Sequence, residues 1–463
     1  MDERSVYDFI PDGDALALLK RQLEATNRID TDNFIRFNVK KGLRNADGTG
    51  VMAGLTKVCN VEGYYINDGE KVPKKGQLFY RGVDVNDLVE ACRREDRFGY
   101  EEVVWLLLFG ELPTADALER FTGMLGEMRD LPENFTEDMI MKAPSKNIMN
   151  KMARSVSAMY SYDTNPDDTS LENVLRQSLW LVASMPSMMS YAYQVKRRAF
   201  YKKSMYLHPT KPEHHTAEAI LNYLRSDKKF TDEEAKLLDL CLMLHAEHGG
   251  GNNSTFAVRV LSSSGTDTYS SIAVGIGALK GPKHGGANLK VAEMVNMIRE
   301  NVSDITDESQ VEDYLAKIIR GEGGDGTGLV YGMGHAVYTL SDPRAAILRR
   351  EAQSFSRGTE FEDDFRLLSI IEEKTPELLA DIKHNKKTMC ANVDLYSGLI
   401  YRMLRIPEDL YTPLFATARI AGWSAHRMEE LYTGGRIIRP AYKSLAPHVV
   451  YVPIEQRKAE KAK

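Results

Sequence analysis

Residues 231–251 read TDEEAKLLDLCLMLHAEHGGG and indicate the kind of fold to expect. Thr231 to Glu234 form a capping box, in which the Thr hydroxyl and the Glu carboxylate satisfy the free N–H groups of a helix start. The next residues recur at the i, i+3, i+4, i+7 spacing of a buried helix face: Leu238, Cys241, Leu242 and His245. Three glycines at 249–251 are predicted to end this helix.

The helical pattern continues through most of the chain. The same spacing is seen in Val291, Met294, Val295 and Ile298, and again over 415–431. Pro343 follows Ser341-Asp342 at a position typical of a first helical turn. Strand signals are mostly confined to the first hundred residues, at 58–66 and 77–83. We therefore expect a mostly α-helical protein with a minor β-hairpin near the N-terminus.

The amino-acid composition limits the classes of protein to which this chain can belong. The chain has 463 residues, 43% hydrophobic and 27% charged, with a net charge of -6, which suits a globular protein of two or three domains. The acidic balance argues against nucleic-acid or anionic-membrane binding, and no apolar run approaches the roughly 18 residues of a membrane span. Four scattered cysteines without a CxxC pair, and an acidic start at Met1-Asp2-Glu3-Arg4, favour a cytoplasmic protein without a targeting peptide.

The stretch Gly321-Glu-Gly323-Gly-Asp-Gly326 matches the G-x-G-x-x-G dinucleotide fingerprint. That fingerprint requires a strand before the glycines and a helix after them, whereas residues 311–320 have helical periodicity. We therefore interpret these glycines as a flexible loop or hinge and not as a nicotinamide site.

Four segments combine an ionisable side chain with glycines or a helix end, where backbone donors and shifted pKa values become available. They are His245-Ala-Glu-His248-Gly-Gly-Gly, Gly281-Pro-Lys-His284-Gly-Gly-Ala-Asn288, Gly332-Met-Gly-His335 with Asp342-Pro-Arg344, and Asn392-Val-Asp394-Leu-Tyr-Ser-Gly398.

Each segment also has a simpler interpretation. His245 and His248 lie three apart on the predicted helix, so they could be a metal pair or a packed pair, although the H-E-x-x-H order and a third ligand are missing. His284 and Asp394 could be ordinary residues at helix starts, where Asp is a preferred N-cap. Arg344 and Arg419 could form internal ion pairs instead of holding a ligand.

Taken together, the segments indicate a specific chemistry, in which a proton is removed from carbon and carbonyl groups are polarised. His284 precedes a helix whose positive end favours neutral imidazole, which can donate a hydrogen bond to a carbonyl that becomes an enol. Asp394 is a carboxylate suited to removing a weakly acidic proton from carbon, and His335 could polarise a second carbonyl. Arginines on apolar helix faces are the side chains whose fork matches carboxylates.

These segments, in this order, resemble the citrate synthase family. The family pattern also includes an Arg-Pro near the C-terminus, which Arg439-Pro440 matches, and earlier segments similar to Gly54-Leu-Thr-Lys-Val58 and Gly76-Gln-Leu-Phe-Tyr-Arg-Gly82. The resemblance spans roughly residues 54–442. Two departures concern the phosphates of CoA: Thr339 stands where some members have an arginine, and Ala441 stands where many have a basic residue.

The resemblance implies condensation of acetyl-CoA with oxaloacetate and hydrolysis of the thioester to citrate and CoA, the acyltransferase step of the tricarboxylic acid cycle. It assigns catalysis to His284, His335 and Asp394. It assigns the substrate carboxylates to His248, Arg344, Arg419 and Arg439. It assigns CoA to Leu329, Val330, Gly332, Met333, Ala336 and Asn392. No metal or permanently bound cofactor is implied.

The family architecture implies two helical domains and a homodimer. Residues 1–287 and 394–463 would form the large domain with the dimer interface, and 288–393 a small, mobile CoA-binding domain. Arg439 would reach the site of the partner subunit. Three alternatives stay open: a 2-methylcitrate synthase that uses propionyl-CoA, a binding or regulatory protein with the same fold, and an assembly larger than a dimer.

Overall fold

The fold is given by a computed structural model that describes residues 13–384 and 389–457. The first twelve residues and 458–463, which include the acidic start and most of the charged tail, lie outside the described residues. Over the described residues the chain is mainly helical, as predicted. The α-helices are α1 (Gly13–Asn27), α2 (Asp32–Arg36), α3 (Val85–Arg94), α4 (Tyr100–Phe109), α5 (Ala115–Glu127), α6 (Ile148–Met159), α7 (Leu171–Ala199), α8 (Thr216–Leu224), α9 (Asp232–His245), α10 (Asn253–Ser262), α11 (Thr268–Leu279), α12 (Ala287–Asn301), α13 (Glu308–Arg320), α14 (Pro343–Ser356), α15 (Glu362–Lys383), α16 (Val393–Met403) and α17 (Tyr411–Tyr432).

Short helical turns complete the helical part. In the described ranges four are of 3-10 type, at Lys41–Leu43, Tyr160–Tyr162, Glu408–Leu410 and Ile454–Gln456, and one is a π turn at Thr136–Met141. Among the described residues, none of the helices combines the length and the apolar character that a membrane crossing requires.

The sheet near the N-terminus has three antiparallel strands, β1 (Cys59–Asn67), β2 (Glu70–Tyr80) and β3 (Val83–Asp84), in the order β1-β2-β3. Asp68 and Gly69 connect the first two strands and both have positive φ, 48° and 82°. Two residues with positive φ match the twist of a tight hairpin. The predicted hairpin is confirmed, and β2 begins seven residues earlier than the predicted strand at 77.

Helix α17 is the centre of the molecule. It packs against α4, α7, α9, α10 and α11, and even its Arg419, Trp423 and Arg427 side chains are fully buried. A helix that is buried on all sides is typical of the core of a large protein. The helix predicted over 415–431 is confirmed and is one turn longer at its start.

The end of α9 differs from the prediction. The capping box is present, with the Glu234 N–H bonded to Thr231 Oγ1 at 3.1 Å and the Thr231 N–H bonded to Glu234 Oε2 at 2.9 Å. However, the helix ends at His245, not at the glycines, because the carbonyl oxygens of 245 and 246 accept bonds from α17 instead of continuing the helix. His245 and His248 therefore do not share a helix face, and that prediction was wrong.

The predictions for α12, for α14 and for the helix before the glycines at 321–326 are confirmed. Val291, Met294, Val295 and Ile298 form the buried face of α12, and Pro343 is the first residue of α14. Helix α13, not a strand, precedes the glycines, and Gly321, with φ 79°, is its C-cap. Within the described ranges the four cysteines are free thiols, and three of them are buried.

Candidate active site

A pocket of about 330 Å³ lies where the four predicted segments meet. Its walls include eight of the residues predicted for the site: His248, His284, His335, Ala336, Arg344, Asn392, Asp394 and Arg419. They come from the loops after α9 and α11, from the loop before α14, and from α14, α16 and α17. Segments separated by up to 171 positions (248 to 419) thus converge on one cavity.

Asp394 is the acidic group of this pocket. The N-cap of α16 is Asn392, whose side-chain oxygen accepts the Asp394 N–H at 3.0 Å, so the interpretation of Asp394 as an N-cap was wrong. Burial raises the pKa of Asp394 to about 6; the Arg344 guanidinium opposes this shift and the Asp342 charge adds to it. A carboxylate with a raised pKa is a stronger base than an ordinary one.

His284 lies on a tight turn at the end of α11. A Cβ atom on the following residue, Gly285, would come within 2.1 Å of the Leu279 carbonyl oxygen, so glycine is needed there. Ser254 contacts His284 Nε2 with its hydroxyl at 3.0 Å and with its N–H at 3.4 Å. The N–H is shared between Asn252 Oδ1, at 3.2 Å, and Nε2, which favours Nε2 as the acceptor and the proton on Nδ1. Burial, aided by the positive charge of Arg419, lowers the pKa of His284 to about 4.

His335 also has a defined proton position. Its Nδ1 accepts the backbone N–H groups of Val337 at 3.0 Å and Tyr338 at 3.1 Å, so the proton of the neutral ring is on Nε2. Burial and the Arg344 charge lower the pKa of His335 to about 4. Its ring stacks on Tyr338, with 4.7 Å between centroids, and meets His248 edge-on at 5.0 Å.

His248 has a buried Nε2 without a hydrogen-bond partner among the described residues. Burial and the charge of Arg344 hold the pKa of His248 well below its usual range. His248 also lines the pocket. The free nitrogen of a neutral imidazole can accept a hydrogen bond from a ligand or donate one to it.

The two arginines that line the pocket differ in their partners. Arg344 makes an internal ion pair, with Nη2 2.8 Å from Asp342 Oδ2 and Nε 3.1 Å from Oδ1, as the simpler interpretation allowed. Arg419 donates through Nε to the His245 carbonyl oxygen at 2.7 Å. Both of its terminal nitrogens are buried and, within the described part of the chain, have no partner. Such unpaired donors are costly, so they indicate an anionic ligand.

The loop predicted to contact CoA runs along residues 390–392. Met333 forms an isolated antiparallel bridge with Ala391. The Asn392 side-chain amide donates to the Gly334 carbonyl oxygen at 3.0 Å. Of the predicted CoA residues, Ala336 and Asn392 line the pocket, whereas the other four lie on the adjoining loop without lining it: Leu329, Val330, Gly332 and Met333.

Arg439 is not part of this pocket. It lies in an exposed segment without regular secondary structure that follows α17, and the neighbouring Ile438 N–H is bonded to Ser263 Oγ at 3.0 Å. The single chain therefore brings together the predicted catalytic and carboxylate-binding residues except for this arginine.

Several pocket residues were not predicted. They are Asn252, Lys283, Gly285, Asn288, Gly334, Val393, Tyr411, Thr412 and Phe415. Thr412 fixes the turn of His284, since its hydroxyl donates to the Gly285 carbonyl oxygen at 2.8 Å. Asn252 caps α10, a position that its place after three glycines could have indicated. In the part of the chain that the structure describes, no group of three or more His, Cys, Asp or Glu side chains could hold a metal ion.

The chain is similar to known citrate synthases and 2-methylcitrate synthases. The family model described as "Citrate synthase, C-terminal domain" matches residues 46–441. A citrate synthase from Haloferax volcanii is 32% identical, over 90% of this chain and 99% of its own. The 2-methylcitrate synthase 1 of Corynebacterium glutamicum is 31% identical, over 90% of this chain and 98% of its own.

Solved structures share the fold. The citrate synthase from Thermoplasma acidophilum, in a ternary complex with carboxymethyl coenzyme A and oxaloacetate, has a TM-score of 0.71 and 26% identity, and the alignment covers 90% of this chain and 99% of that one. The matched family model, the relatives and the fold agree, and this chain therefore belongs to the citrate synthase family.

Proposed function

We propose that this enzyme condenses acetyl-CoA with oxaloacetate and hydrolyses the resulting thioester to citrate and CoA. The observation that carries the proposal is the convergence of Asp394, His284 and His335 with the unpaired guanidinium of Arg419 in one pocket. The reaction needs a base for a weakly acidic C–H group, hydrogen-bond donors for two carbonyl oxygens and cations for the carboxylates of the substrate.

Proton abstraction needs two groups acting together. A thioester α-proton is a much weaker acid than a carboxylic acid, so a carboxylate alone cannot drive its transfer. Asp394 takes the methyl proton while the Nδ1–H of His284 donates to the thioester oxygen, which becomes an enol oxygen. The proton position on His284 follows from its contacts with Ser254. The enol carbon then forms the new C–C bond with the ketone carbon of oxaloacetate.

The second substrate is held by the opposite wall of the pocket. The Nε2–H of His335 polarises the ketone oxygen, and Arg344, Arg419 and His248 bind the carboxylates. The Thermoplasma acidophilum relative is described in complex with oxaloacetate and a CoA analogue, which supports the same pair of substrates here. No metal is needed for this chemistry, because the polarising groups are histidines and arginines.

The domain division that we propose is 1–287 with 394–463 for the large domain and 288–393 for the small one. These boundaries lie within one residue of the starts of α12 and α16. Both parts line the pocket, His284 and Arg419 from the large one and His335 and Arg344 from the small one. Closure of the small domain on the large one would exclude water while carbon is deprotonated and would bring the loop 329–336 to CoA.

The enzyme assay tests this function. We expect thiol release from acetyl-CoA that depends on oxaloacetate, followed continuously with a thiol reagent. The alternative is a 2-methylcitrate synthase, since such a relative is 31% identical over most of the chain. One methylene in an apolar pocket is worth only about 1 to 3 kcal/mol. A higher kcat/KM with propionyl-CoA would favour the alternative, and no release with either thioester would exclude both.

The pH dependence follows from the group that must lose its proton. Asp394 acts as a base only when ionised, and its pKa is raised to about 6. We expect kcat/KM for acetyl-CoA to fall about tenfold per pH unit below that value and to be level above it. His284 and His335 are neutral throughout this range, because their pKa values are lowered to about 4. An acid limb centred near pH 4 would contradict the raised pKa.

We further propose a cytoplasmic homodimer in which Arg439 completes the site of the partner subunit. Its exposed position outside the pocket of its own chain supports this. Arg439→Ala and Asp394→Asn chains should each lose activity, but mixed dimers contain one intact site.

Refolding or co-expressing the two variants at equal amounts should recover about a quarter of wild-type activity, because half the dimers are mixed and each has one working site. Recovery is measured against each variant prepared alone. A mixture that stays as inactive as its components would show that Arg439 acts within its own subunit or not at the site.

A further inference from the structure

The segment 245–247, between α9 and the three glycines, is bonded to α17 at three successive positions. The bonds join Arg419 Nε to His245 O (2.7 Å), Gly422 N to Ala246 O (3.2 Å) and His426 Nε2 to Glu247 Oε1 (3.1 Å). The α17 residues are spaced at i, i+3 and i+7 and therefore lie on one face of the helix. The segment leads directly into His248, so these bonds set where His248 enters the pocket.

Glu247 is the residue of this segment whose presence is hardest to explain by packing. Its carboxylate is fully buried, and Oε2 has no hydrogen-bond partner among the described residues. A Cβ atom at position 422 would come within 1.9 Å of Oε2, so α17 needs glycine there to admit the carboxylate. Burying an ionised group is unfavourable unless its charge is compensated. An apolar side chain would fill this space without the free-energy cost of burying a charge.

The compensation comes from the Nε2–H of His426, as a hydrogen-bond donor, and from the charge of Arg419. Both hold the pKa of Glu247 below its usual value against the effect of burial. In return, the Glu247 charge favours the charged form of Arg419, whose terminal nitrogens are unpaired within the described residues. Glu247 is thus a buried counter-charge for a guanidinium that is prepared for an anionic ligand.

The orientation of His426 follows from its other partner. Its Nδ1 lies 3.1 Å from Arg259 Nη1, a group that can only donate, so Nδ1 is the acceptor and the proton is on Nε2, toward Glu247. Arg259 is in turn paired with Glu429 Oε2 and Glu430 Oε2, both at 2.9 Å. The imidazole is therefore fixed from one side by an ion-pair network and holds Glu247 on the other.

We propose that His426 is a positioning residue for oxaloacetate, which acts through Glu247 on the placement of His248 and Arg419. It does not touch the pocket, and its effect is on substrate affinity rather than on proton transfer. This inference rests on the proposed function, because it requires that His248 and Arg419 bind the substrate carboxylates.

Two substitutions at His426 separate positioning from packing. The amide nitrogen of Gln falls near the imidazole Nε2, whereas the Asn amide falls near Nδ1. His426→Gln can therefore keep the donor to Glu247 and His426→Asn cannot. We expect the dissociation constant of oxaloacetate, measured by calorimetry on the full-length assembly, to rise on the order of tenfold in His426→Asn and about twofold or less in His426→Gln. The KM for acetyl-CoA should be unchanged in both.

Thermal unfolding of both variants shows whether each is folded. If His426→Asn does not fold, Glu247→Asp replaces it: the carboxylate is one methylene shorter, loses His426 and should weaken oxaloacetate binding in the same way. Equal affinities of the Asn and Gln variants, or wild-type affinity of Glu247→Asp, would overturn the inference. A wild-type protein that does not bind oxaloacetate would instead overturn the proposed function.

Discussion

Replacing Asp394 with Asn is expected to abolish most of the condensation activity while oxaloacetate binding stays close to wild type. The amide has nearly the same shape as the carboxyl group but cannot accept the methyl proton. Loss of a positioned general base lowers turnover by about 10²- to 10⁴-fold. The measurement is kcat from thiol release, together with the dissociation constant of oxaloacetate from calorimetry.

Measuring both turnover and oxaloacetate binding distinguishes loss of the base from loss of the fold. A variant that had lost its fold would lose both activity and oxaloacetate binding, whereas loss of the base removes activity alone. Asn392→Ala is a useful companion, because it removes the N-cap that accepts the Asp394 N–H and leaves the carboxylate in place. Turnover of Asp394→Asn at the wild-type rate would show that another group removes the proton.

Replacing Arg419 with Lys is expected to weaken oxaloacetate binding by about 10²- to 10³-fold, although the charge is conserved. The guanidinium Nε is held by the His245 carbonyl oxygen, while both terminal nitrogens have no partner among the described residues and can bind a carboxylate. Lysine has a single nitrogen and cannot keep the backbone bond while presenting two parallel donors. The increase appears in the KM and the dissociation constant of oxaloacetate.

Arg427→Lys is the matched control for this variant. Arg427 is a buried arginine on the same helix, but its guanidinium is bonded to neutral groups: Thr268 Oγ1, Ser262 Oγ, Ser271 Oγ and the Thr266 carbonyl oxygen. Its substitution should lower thermal stability without a selective effect on oxaloacetate. If both variants weakened oxaloacetate binding equally, the loss would reflect disturbance of α17 and not loss of a substrate contact.

The parts of the fold that could be predicted are those encoded locally. Pro343 after Asp342, the capping box at Thr231 and the apolar spacing in α12 are short-range signals, and each appears where it was expected. The end of α9 could not be found this way. Its position depends on bonds from α17, about 175 residues later in the sequence, and tertiary contacts of that kind override local propensity.

The same distinction applies to the pocket. A histidine beside glycines is a candidate site residue from sequence alone, so His284 and His335 could be predicted from their neighbours. Ser254 and Thr412 could not, because nothing near them in the sequence shows that they fold back to His284 and its turn. The role of Arg439 depends on a second chain and stays a prediction.

The central place of α17 has a consequence for how the polypeptide reaches its native state. This helix comes later in the sequence than the helices that it packs against, which begin as early as Tyr100. During synthesis those earlier helices emerge first, and their apolar faces stay uncovered until residues 411–432 have left the ribosome. Closing the core is thus a late, long-range event, which slows folding and exposes apolar surface of the nascent chain to aggregation.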